Sequence, residues 1–227
     1  MIKDNILKVK KRILQACLKA NRDPRGVGLI AVAKGRGIQE IQEAVNCGIS
    51  DIGENKVQEA LLKYHELGAA SYELKWHMVG HLQANKAKDA VRIFDLIHSV
   101  DSLRLAEELD KQAAKIDKLQ DILIEVNTSG EAAKFGLKPG EVAGVIKDIA
   151  QLKNLNVRGL MTIAPIVDNP DAARPYFRNL KELSDKINEL LPPNSKLQTL
   201  SMGMTDDFEV AIEEGSTMVR IGRGIFA

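Results

Sequence analysis

Strand-like and helix-like segments alternate along almost the whole chain, and this alternation constrains the fold more than any other feature. Helical spacing of apolar residues separates the strand-like runs, and one helix at residues 2–18 precedes the first of them. Such alternation predicts parallel strands joined by right-handed crossovers. The predicted strands lie at residues 29–34, 51–53, 74–79, 94–100, 119–126, 157–162, 197–202 and 218–221.

Eight such strands in 227 residues predict an α/β fold, a single (β/α)8 TIM barrel with an extra N-terminal helix. An open doubly wound sheet is the alternative, and it usually carries Gly-x-Gly-x-x-Gly after its first strand. Here that turn is Gly35-Arg36-Gly37, and the third glycine is missing. No stretch rich in Pro, Gly or Ser interrupts the pattern, so we expect residues 1–227 to form one domain without a second.

The composition argues against several classes of partner. A net charge of +1 and an aromatic content of 4% do not favour nucleic-acid binding. No apolar run is long enough to span a bilayer, and the N-terminal residues carry charges every few positions, unlike a signal peptide. The two cysteines form no CxxC pair and the four histidines are scattered, so we expect a cytoplasmic protein without a metal site.

A lysine follows the first predicted strand, where the apolar run of residues 29–33 ends. Partial desolvation at a strand end lowers the pKa of an ammonium group, and the resulting amine attacks aldehydes to form a Schiff base. The alternative is that Lys34 is simply the first solvated residue after the strand. Taken alone, this stretch favours the solvated lysine, so the rest of the chain has to decide.

Two glycine-containing segments follow the seventh and eighth predicted strands, where barrels commonly bind phosphate. The segment 201–207 carries hydroxyls and a glycine before a helix, which Asp206 and Glu209 are expected to cap. The segment 219–225 places two glycines beside two arginines, and glycine lets backbone amides approach an anion closely. Either segment alone is an ordinary turn. Both together, across the barrel mouth from Lys34, predict phosphate binding.

An aldehyde-capturing amine and a phosphate site at one barrel mouth suit a phosphorylated aldehyde, for which pyridoxal 5′-phosphate (PLP) is the candidate. Arg220 adds a further expectation. If its guanidinium faces the pyridine nitrogen, the fixed positive charge disfavours protonation of that nitrogen. An unprotonated ring is a poorer electron sink, so we expect weak transamination-type chemistry.

Seven segments around these positions, in order along the chain, resemble the PLP homeostasis proteins of the YggS/PROSC type, which are related to the barrel domain of alanine racemase. The Trp-His pair at residue 76 and the Ser-Met-Gly-Met run at residue 201 are the specific ones. The matching segments are residues 31–34, 53–59, 76–86, 127–131 with Lys134 and Gly136, 159–162, 200–207 and 219–222.

The resemblance implies a monomeric barrel of PLP fold type III with no established catalysis. It implies a cytoplasmic carrier or buffer of PLP that affects amino-acid and keto-acid balance and supplies apo-enzymes that use PLP. The implied cofactor contacts are Lys34 as the Schiff-base residue, Ser201, Gly203, Thr205 and Gly222 at the phosphate, Arg220 at the pyridine nitrogen, and Asn55 and Met161 along the ring. Further contacts are implied for Lys134, His81 and Arg223, although Lys134 also fits a solvated loop lysine.

This chain departs from the family pattern beside the lysine and beside the last strand. Gly35-Arg36-Gly37 stands where relatives often carry a Thr-Lys-Pro-like stretch, so the shape of that loop is expected to differ. Arg223 stands where many relatives carry a small residue, which adds a positive charge near the phosphate.

Three functions follow from these residues. The first is a non-catalytic PLP carrier. The second is a PLP-dependent amino-acid racemase, which needs a second proton-transfer group on the opposite face of the substrate. The third, and the weakest, is a Schiff-base aldolase that acts on a sugar phosphate through Lys34 without a cofactor.

Overall fold

The strands close into an eight-stranded parallel barrel, which confirms the predicted architecture. This computed structural model describes residues 1–227, apart from the side chain of Tyr72. Each strand pairs with the next along the chain, and β8 pairs with β1. The strands are β1 (Gly28–Val32), β2 (Asp51–Glu54), β3 (Lys75–Met78), β4 (Leu96–Val100), β5 (Gln120–Glu125), β6 (Leu155–Met161), β7 (Thr199–Ser201) and β8 (Met218–Ile221).

Nine α-helices occur in the part of the chain that the structure describes, and eight of them each follow a strand. The α-helices are α1 (Ile2–Lys19), α2 (Ile38–Asn46), α3 (Val57–Leu67), α4 (Ala87–Ile93), α5 (Leu103–Ala114), α6 (Val142–Ile149), α7 (Arg174–Leu190), α8 (Phe208–Glu213) and α9 (Arg223–Phe226). Short 3₁₀ helices lie at Pro24–Gly26, Gly68–Glu73, Ala84–Lys86, Pro139–Glu141, Pro170–Ala173 and Pro193–Ser195. None of the described helices is long and apolar enough to cross a bilayer.

The N-terminal helix α1 packs against α8 and α9 on the outside of the barrel. Its buried face is apolar throughout, as the helical spacing of the sequence predicts. The side chain of Asn5 donates hydrogen bonds to the carbonyls of Ile225 (3.1 Å) and Ala227 (3.0 Å). These bonds fix α9, and with it the glycine-containing segment after β8.

The apolar core has two layers, because successive side chains of a strand point to opposite faces. Outward-facing residues such as Ile97 and Ile122 are fully buried between the strands and the helices. Leu96, Leu123 and Met161 form a separate cluster inside the barrel. The interior is therefore filled by side chains, which confines a ligand to the mouth.

Strand boundaries agree with the prediction to within two residues, and the difference at β1 matters for the site. β1 ends at Val32 rather than at residue 34. The amide of Arg36 donates to the carbonyl of Ala33 (3.0 Å), and Gly35 adopts a φ of +68°. A tight turn therefore begins before Lys34 is reached.

The start of α8 also differs from the prediction, because a side chain holds a separate turn there. Asp207 Oδ1 accepts a hydrogen bond from the amide of Met204 (2.6 Å), and the helix begins at Phe208 instead of residue 206. The expected cap pair of Asp206 and Glu209 is wrong. Asp206 pairs with Arg223 and Glu209 with Arg12, both through contacts that are distant in sequence.

Candidate functional site

A cavity of about 440 Å³ opens at the carboxyl ends of the strands. Five of the eight residues predicted to contact the cofactor line it, namely Lys34, Asn55, Thr205, Arg220 and Gly222. The lining also includes Arg223 and six residues that were not predicted to contact the cofactor: Val32, Val79, Ile163, Ile166, Met204 and Asp206. The site therefore combines an amine, two guanidinium groups and an apolar wall.

The backbone that carries Lys34 is held by a buried ion pair. Lys63 Nζ donates to the carbonyl of Ala33 (2.7 Å) and pairs with Glu54 Oε1 (2.5 Å). Burial raises the pKa of Glu54, and the neighbouring ammonium of Lys63 opposes that shift. The pair links the end of β1 to the end of β2 and so fixes the residue next to Lys34.

Lys34 itself is exposed, so the expectation of partial desolvation is wrong for this structure. The physical reason is the early turn at Ala33, which moves the ammonium from the strand end to the surface of the mouth. The amine nevertheless shares one cavity with Arg220 and Gly222. The amine and the glycine-containing segment after β8 therefore meet at one cavity, as their positions after β1 and β8 predict.

The segment after β8 lies beside the end of β1, because the two strands pair with Ala31 opposite Ile221. A Cβ atom at Gly222 would lie 3.4 Å from the carbonyl oxygen of Val32. That distance is an ordinary van der Waals contact, and it shows how near the two strand ends lie to each other. The backbone of residues 222–224 is thereby placed next to the turn that carries Lys34.

Hydroxyl and amide groups meet where the segments after β7 and β8 face each other. The amide of Gly224 lies in the first turn of α9, where amides have no partner within the helix, and it donates to Thr205 Oγ1 (3.3 Å). Arg223 pairs with Asp206 (2.5 Å) above them, and both side chains are exposed. Arg223 thus lies at the rim of the cavity, as its position beside Gly222 predicts.

Gly203 has a structural reason to be glycine. Its φ of +92° is a conformation that residues with a Cβ atom rarely adopt. An added Cβ would lie 2.6 Å from the Cβ of Ala211, and the carbonyl of Gly203 accepts a hydrogen bond from the amide of Arg220 (3.1 Å). Gly203 therefore shapes the turn and supports Arg220 from outside the cavity lining.

The guanidinium of Arg220 is buried and held from below. It donates to Ser201 Oγ through Nη1 (2.6 Å) and to the carbonyl of Thr162 through Nη2 (2.9 Å). Burial lowers its pKa to about 10, while the carboxylates of Glu125 and Asp207 oppose that shift. Arg220 consequently remains a cation at neutral pH.

Ser201 and Met161 lie deeper than the sequence implied. Ser201 is fully buried, and its hydroxyl is bonded to Arg220 and, at 2.9 Å, to the ring of His98. Met161 packs in the interior cluster with Leu96. Both residues lie beneath the cavity rather than in its lining.

Asn55 reaches the cavity because β2 and β3 approach closely at their ends. α3 begins at Val57 with Lys56 at its N-cap, so Asn55 lies between the end of β2 and the helix. A Cβ at Gly80 would lie 2.5 Å from the carbonyl oxygen of Asn55. Glycine at position 80 therefore determines where Asn55 sits.

His81 and Lys134 belong to a neighbouring part of the mouth. The ring of His81 stacks on Phe135, with centroids 3.7 Å apart, and its Nδ1 lies 3.3 Å from Asp101. Lys134 pairs with Glu131 at 2.8 Å. Neither side chain lines the cavity that contains Lys34, although a smaller cavity of about 280 Å³ is lined by both His81 and Asn55.

Glu125, at the end of β5, was missed by sequence reasoning. Its side chain is buried, and none of the described side chains donates a hydrogen bond to its Oε2 atom. Burial and the nearby carboxylate of Asp101 raise its pKa to about 7, and Arg220 opposes the shift. The sequence does carry a signal for Glu125, because an ionisable residue ends the otherwise apolar run of β5.

Comparison with known proteins gives a consistent result over the full length. The profile of the family described as "Alanine racemase, N-terminal domain" matches residues 2–227. The chain is 44% identical over 223 residues to the pyridoxal phosphate homeostasis protein of Aquifex aeolicus, covering 98% of this chain and 96% of that protein. It is 42% identical to the protein of the same name from Pseudomonas aeruginosa, covering 99% and 94%.

Solved structures give the same picture. A protein from Bifidobacterium adolescentis described as unknown has a TM-score of 0.94 at 36% identity, covering 99% of this chain and 94% of that one. PipY of Synechococcus elongatus, solved with PLP bound, has a TM-score of 0.86 at 33% identity, and all of both chains is covered. An alanine racemase from Clostridium difficile shares the fold alone, with a TM-score of 0.73 at 15% identity, covering 95% of this chain and 56% of that one.

Proposed function

This chain belongs to the pyridoxal phosphate homeostasis proteins within the alanine racemase N-terminal domain family, and we propose that it binds PLP on Lys34 and carries or buffers it. The observation that supports the proposal most is the shared cavity of Lys34, Arg220 and Gly222. A relative that is 33% identical over its full length was solved with PLP bound. We assign residues 1–227 to this one binding domain.

The residues of the cavity fit a small phosphorylated aldehyde. Its volume of about 440 Å³ lies in the range of ligand pockets, about 300–1,000 Å³. Its ionic groups are Lys34, Arg220 and the Arg223–Asp206 pair, so positive charge is in excess. An amine for the aldehyde and cations for the phosphate are therefore available within one opening.

We place the phosphate at Thr205, Gly222 and Arg223. The hydroxyl of Thr205 and the first amides of α9 lie together there, and Arg223 adds a charge at the rim. We assign Ser201 and Gly203 an indirect part in phosphate binding, because Ser201 holds Arg220 and Gly203 shapes the turn that carries Thr205.

Lys34 supplies the covalent attachment. Its amine condenses with the aldehyde, a carbon–nitrogen double bond forms, and one water molecule leaves. Asn55 lines the ring, and Met161 supports the floor of the site from the interior cluster. His81 and Lys134 lie beside the cavity and are assigned to a later contact along the route by which the cofactor leaves.

Arg220 favours a carrier over transamination-type chemistry. Bound PLP supplies an electron sink, and this sink is strong only when the pyridine nitrogen is protonated. A guanidinium that stays charged beside that nitrogen disfavours the second positive charge. The homologues are named as homeostasis proteins, which is consistent with a non-catalytic role. We propose a monomeric cytoplasmic carrier whose recipients are apo-enzymes that use PLP.

The experiment combines colour, reduction and transfer. The purified protein with PLP is expected to be yellow, and borohydride is expected to fix the cofactor onto Lys34, as located by peptide mass spectrometry. Lys34→Ala removes both signals. Lys56→Ala is the matched control, because Lys56 is an exposed lysine at the end of the neighbouring strand β2.

The outcomes separate the candidate functions. Transfer of PLP to an apo-enzyme without turnover of amino acids supports the carrier. Exchange of the α-proton of amino acids that is lost in Lys34→Ala supports the racemase, which the shared fold keeps as a second candidate. A protein that stays colourless with added PLP overturns the proposal and favours the aldolase.

A further inference from the structure

A continuous chain of hydrogen bonds runs through the barrel interior from its amino-terminal end to Arg220. Asp51 Oδ1 lies 2.9 Å from His77 Nε2, and His77 Nδ1 lies 3.0 Å from His98 Nε2. His98 Nδ1 lies 2.9 Å from Ser201 Oγ, which accepts from Arg220 at 2.6 Å. His77, His98, Ser201 and Arg220 are each at most 4% exposed.

The chain connects two openings of the barrel. Asp51 and His77 line a cavity of about 450 Å³ at the amino-terminal ends of the strands. Arg220 lines the cavity at the carboxyl-terminal ends, which also contains Lys34. The residues come from β2, β3, β4, β7 and β8, so the chain crosses the interior rather than following one strand.

The two ends fix the direction of every hydrogen bond. Arg220 can only donate, and an ionised Asp51 can only accept. Ser201 accepts from Arg220, and among the described residues His98 Nδ1 is the only acceptor bonded to its hydroxyl, so Ser201 donates its own hydrogen to that atom. His98 then donates through Nε2 to His77 Nδ1, and His77 donates through Nε2 to Asp51. Each ring carries one N–H, on Nε2.

This direction resists a change of protonation inside the barrel. A proton on His98 Nδ1 would point at Ser201 Oγ, whose own hydrogen would then lose its acceptor. Burial, the neighbouring ring of His77 and the charge of Arg220 also hold the pKa of His98 well below its usual range. Lys75 is a charged group near Asp51, and Asp95, Lys118, Asp121 and Arg158 line the same cavity as Asp51 and His77. Glu125 and Asp207 lie near Arg220.

We propose that Asp51, His77 and His98 are positioning residues that orient Arg220 toward the pyridine nitrogen of PLP. The inference depends on the proposed function. Because His98 takes the serine hydrogen, Ser201 presents only a lone pair to the guanidinium. With the carbonyl of Thr162 at 2.9 Å from Nη2, both terminal nitrogens of Arg220 are then held. Arg220, held in this way, also lines the cavity that contains Lys34.

The first test needs no ligand. Imidazole ¹H–¹⁵N correlation spectra of the full chain are expected to show the Nε2–H form for both His77 and His98 at pH 7.5. His98 is expected to keep this form down to pH 5.5, and the exposed His65 gives the reference signal of a solvated ring. An Nδ1–H form at either buried ring overturns the inference.

The second test compares two ligands, PLP and its analogue in which carbon replaces the ring nitrogen. His98→Leu leaves the serine hydroxyl free to turn its hydrogen toward Arg220, so PLP affinity is expected to fall roughly tenfold, the scale of one hydrogen bond to a charge. Affinity for the analogue is expected to stay within about twofold. The His98→Gln side chain can both donate and accept, so this variant is expected to bind PLP as tightly as the unsubstituted protein. His65→Gln is the matched control.

The outcomes distinguish this inference from the proposed function. Equal losses for both ligands indicate a merely structural role for His98 and overturn the inference. If His98→Leu does not fold, the inference is tested by the ratio of PLP affinity to analogue affinity in Asp51→Asn and in His98→Gln. Both variants keep a polar group at the substituted position. Failure of the unsubstituted protein to bind either ligand overturns the proposed function, whereas the spectra still test the hydrogen-bond direction.

Discussion

Replacing Glu125 by glutamine removes a buried carboxyl whose pKa is raised from 4.5 to about 7. The folded protein binds this proton more tightly than the unfolded chain. The carboxyl therefore contributes stability that is fully present below pH 4.5 and is lost as the pH rises through about 7. The difference between the two values corresponds to about 3 kcal/mol of lost stability above pH 8.

The loss of stability begins in mildly acidic solution, because Glu125 ionises at a lower pH in the unfolded chain than in the folded protein. Proton linkage gives a loss of about 1 kcal/mol at pH 5.5 and about 3 kcal/mol at pH 8.5. Glu125→Gln cannot ionise, so it escapes this loss at both pH values. The gap in unfolding free energy between the variant and the unsubstituted protein should thus grow by about 2 kcal/mol between pH 5.5 and pH 8.5.

Urea unfolding at the two pH values measures this gap. Any strain or unsatisfied amide introduced by glutamine is independent of pH, so it shifts both measurements equally and leaves the growth of the gap unchanged. Glu107→Gln on the exposed face of α5 is the control for loss of a carboxyl far from the barrel interior. A gap of the same size at pH 5.5 and pH 8.5 would refute the assignment of a raised pKa to Glu125.

Three further substitutions test the construction of the site. Lys63→Met leaves the buried carboxylate of Glu54 unpaired and should lower the unfolding free energy by about 3–5 kcal/mol. Adding Glu54→Gln should recover part of this loss, and urea unfolding of the single and double variants measures both effects. Gly80→Ala places a Cβ 2.5 Å from the carbonyl oxygen of Asn55, so it should destabilise the fold by about 1–3 kcal/mol and weaken PLP binding in a fluorescence titration. Arg223→Ala should weaken binding of PLP more than that of unphosphorylated pyridoxal while changing stability by at most about 1 kcal/mol, since its ion pair is exposed; equal weakening for both ligands would contradict its place at the phosphate.

The fold was predictable because its signals are local. A short apolar run indicates each strand, and the helical spacing of apolar residues indicates each helix. The number of strands, eight, and the closed barrel therefore follow without knowledge of tertiary contacts. The meeting of Lys34, Arg220 and Gly222 at one cavity was predictable for a similar reason. Residues that follow parallel strands meet at one end of a barrel, whatever the interior contains.

What the sequence could not supply was the partner of each polar side chain. Asp206 was expected to cap a helix, yet it pairs with Arg223, the first residue of α9 after the next strand. Ser201 was expected to contact phosphate, yet its hydroxyl lies between Arg220 and His98, which is 103 residues away. Neither partner could be predicted, because local spacing cannot show which side chain arrives from a neighbouring strand.

Arg220 explains why these polar residues share the barrel interior. A guanidinium buried to this extent needs acceptors for its hydrogen bonds and negative charge nearby, or its pKa would fall further than to about 10. Ser201 and Thr162 provide acceptors, whereas Glu125 and Asp207 provide the charge. A substitution at Ser201, Glu125 or Asp207 therefore also acts on the guanidinium, whereas Thr162 contributes only its backbone carbonyl. We therefore expect a change at Ser201 to weaken PLP binding by disturbing Arg220, not by removing a direct contact with the phosphate.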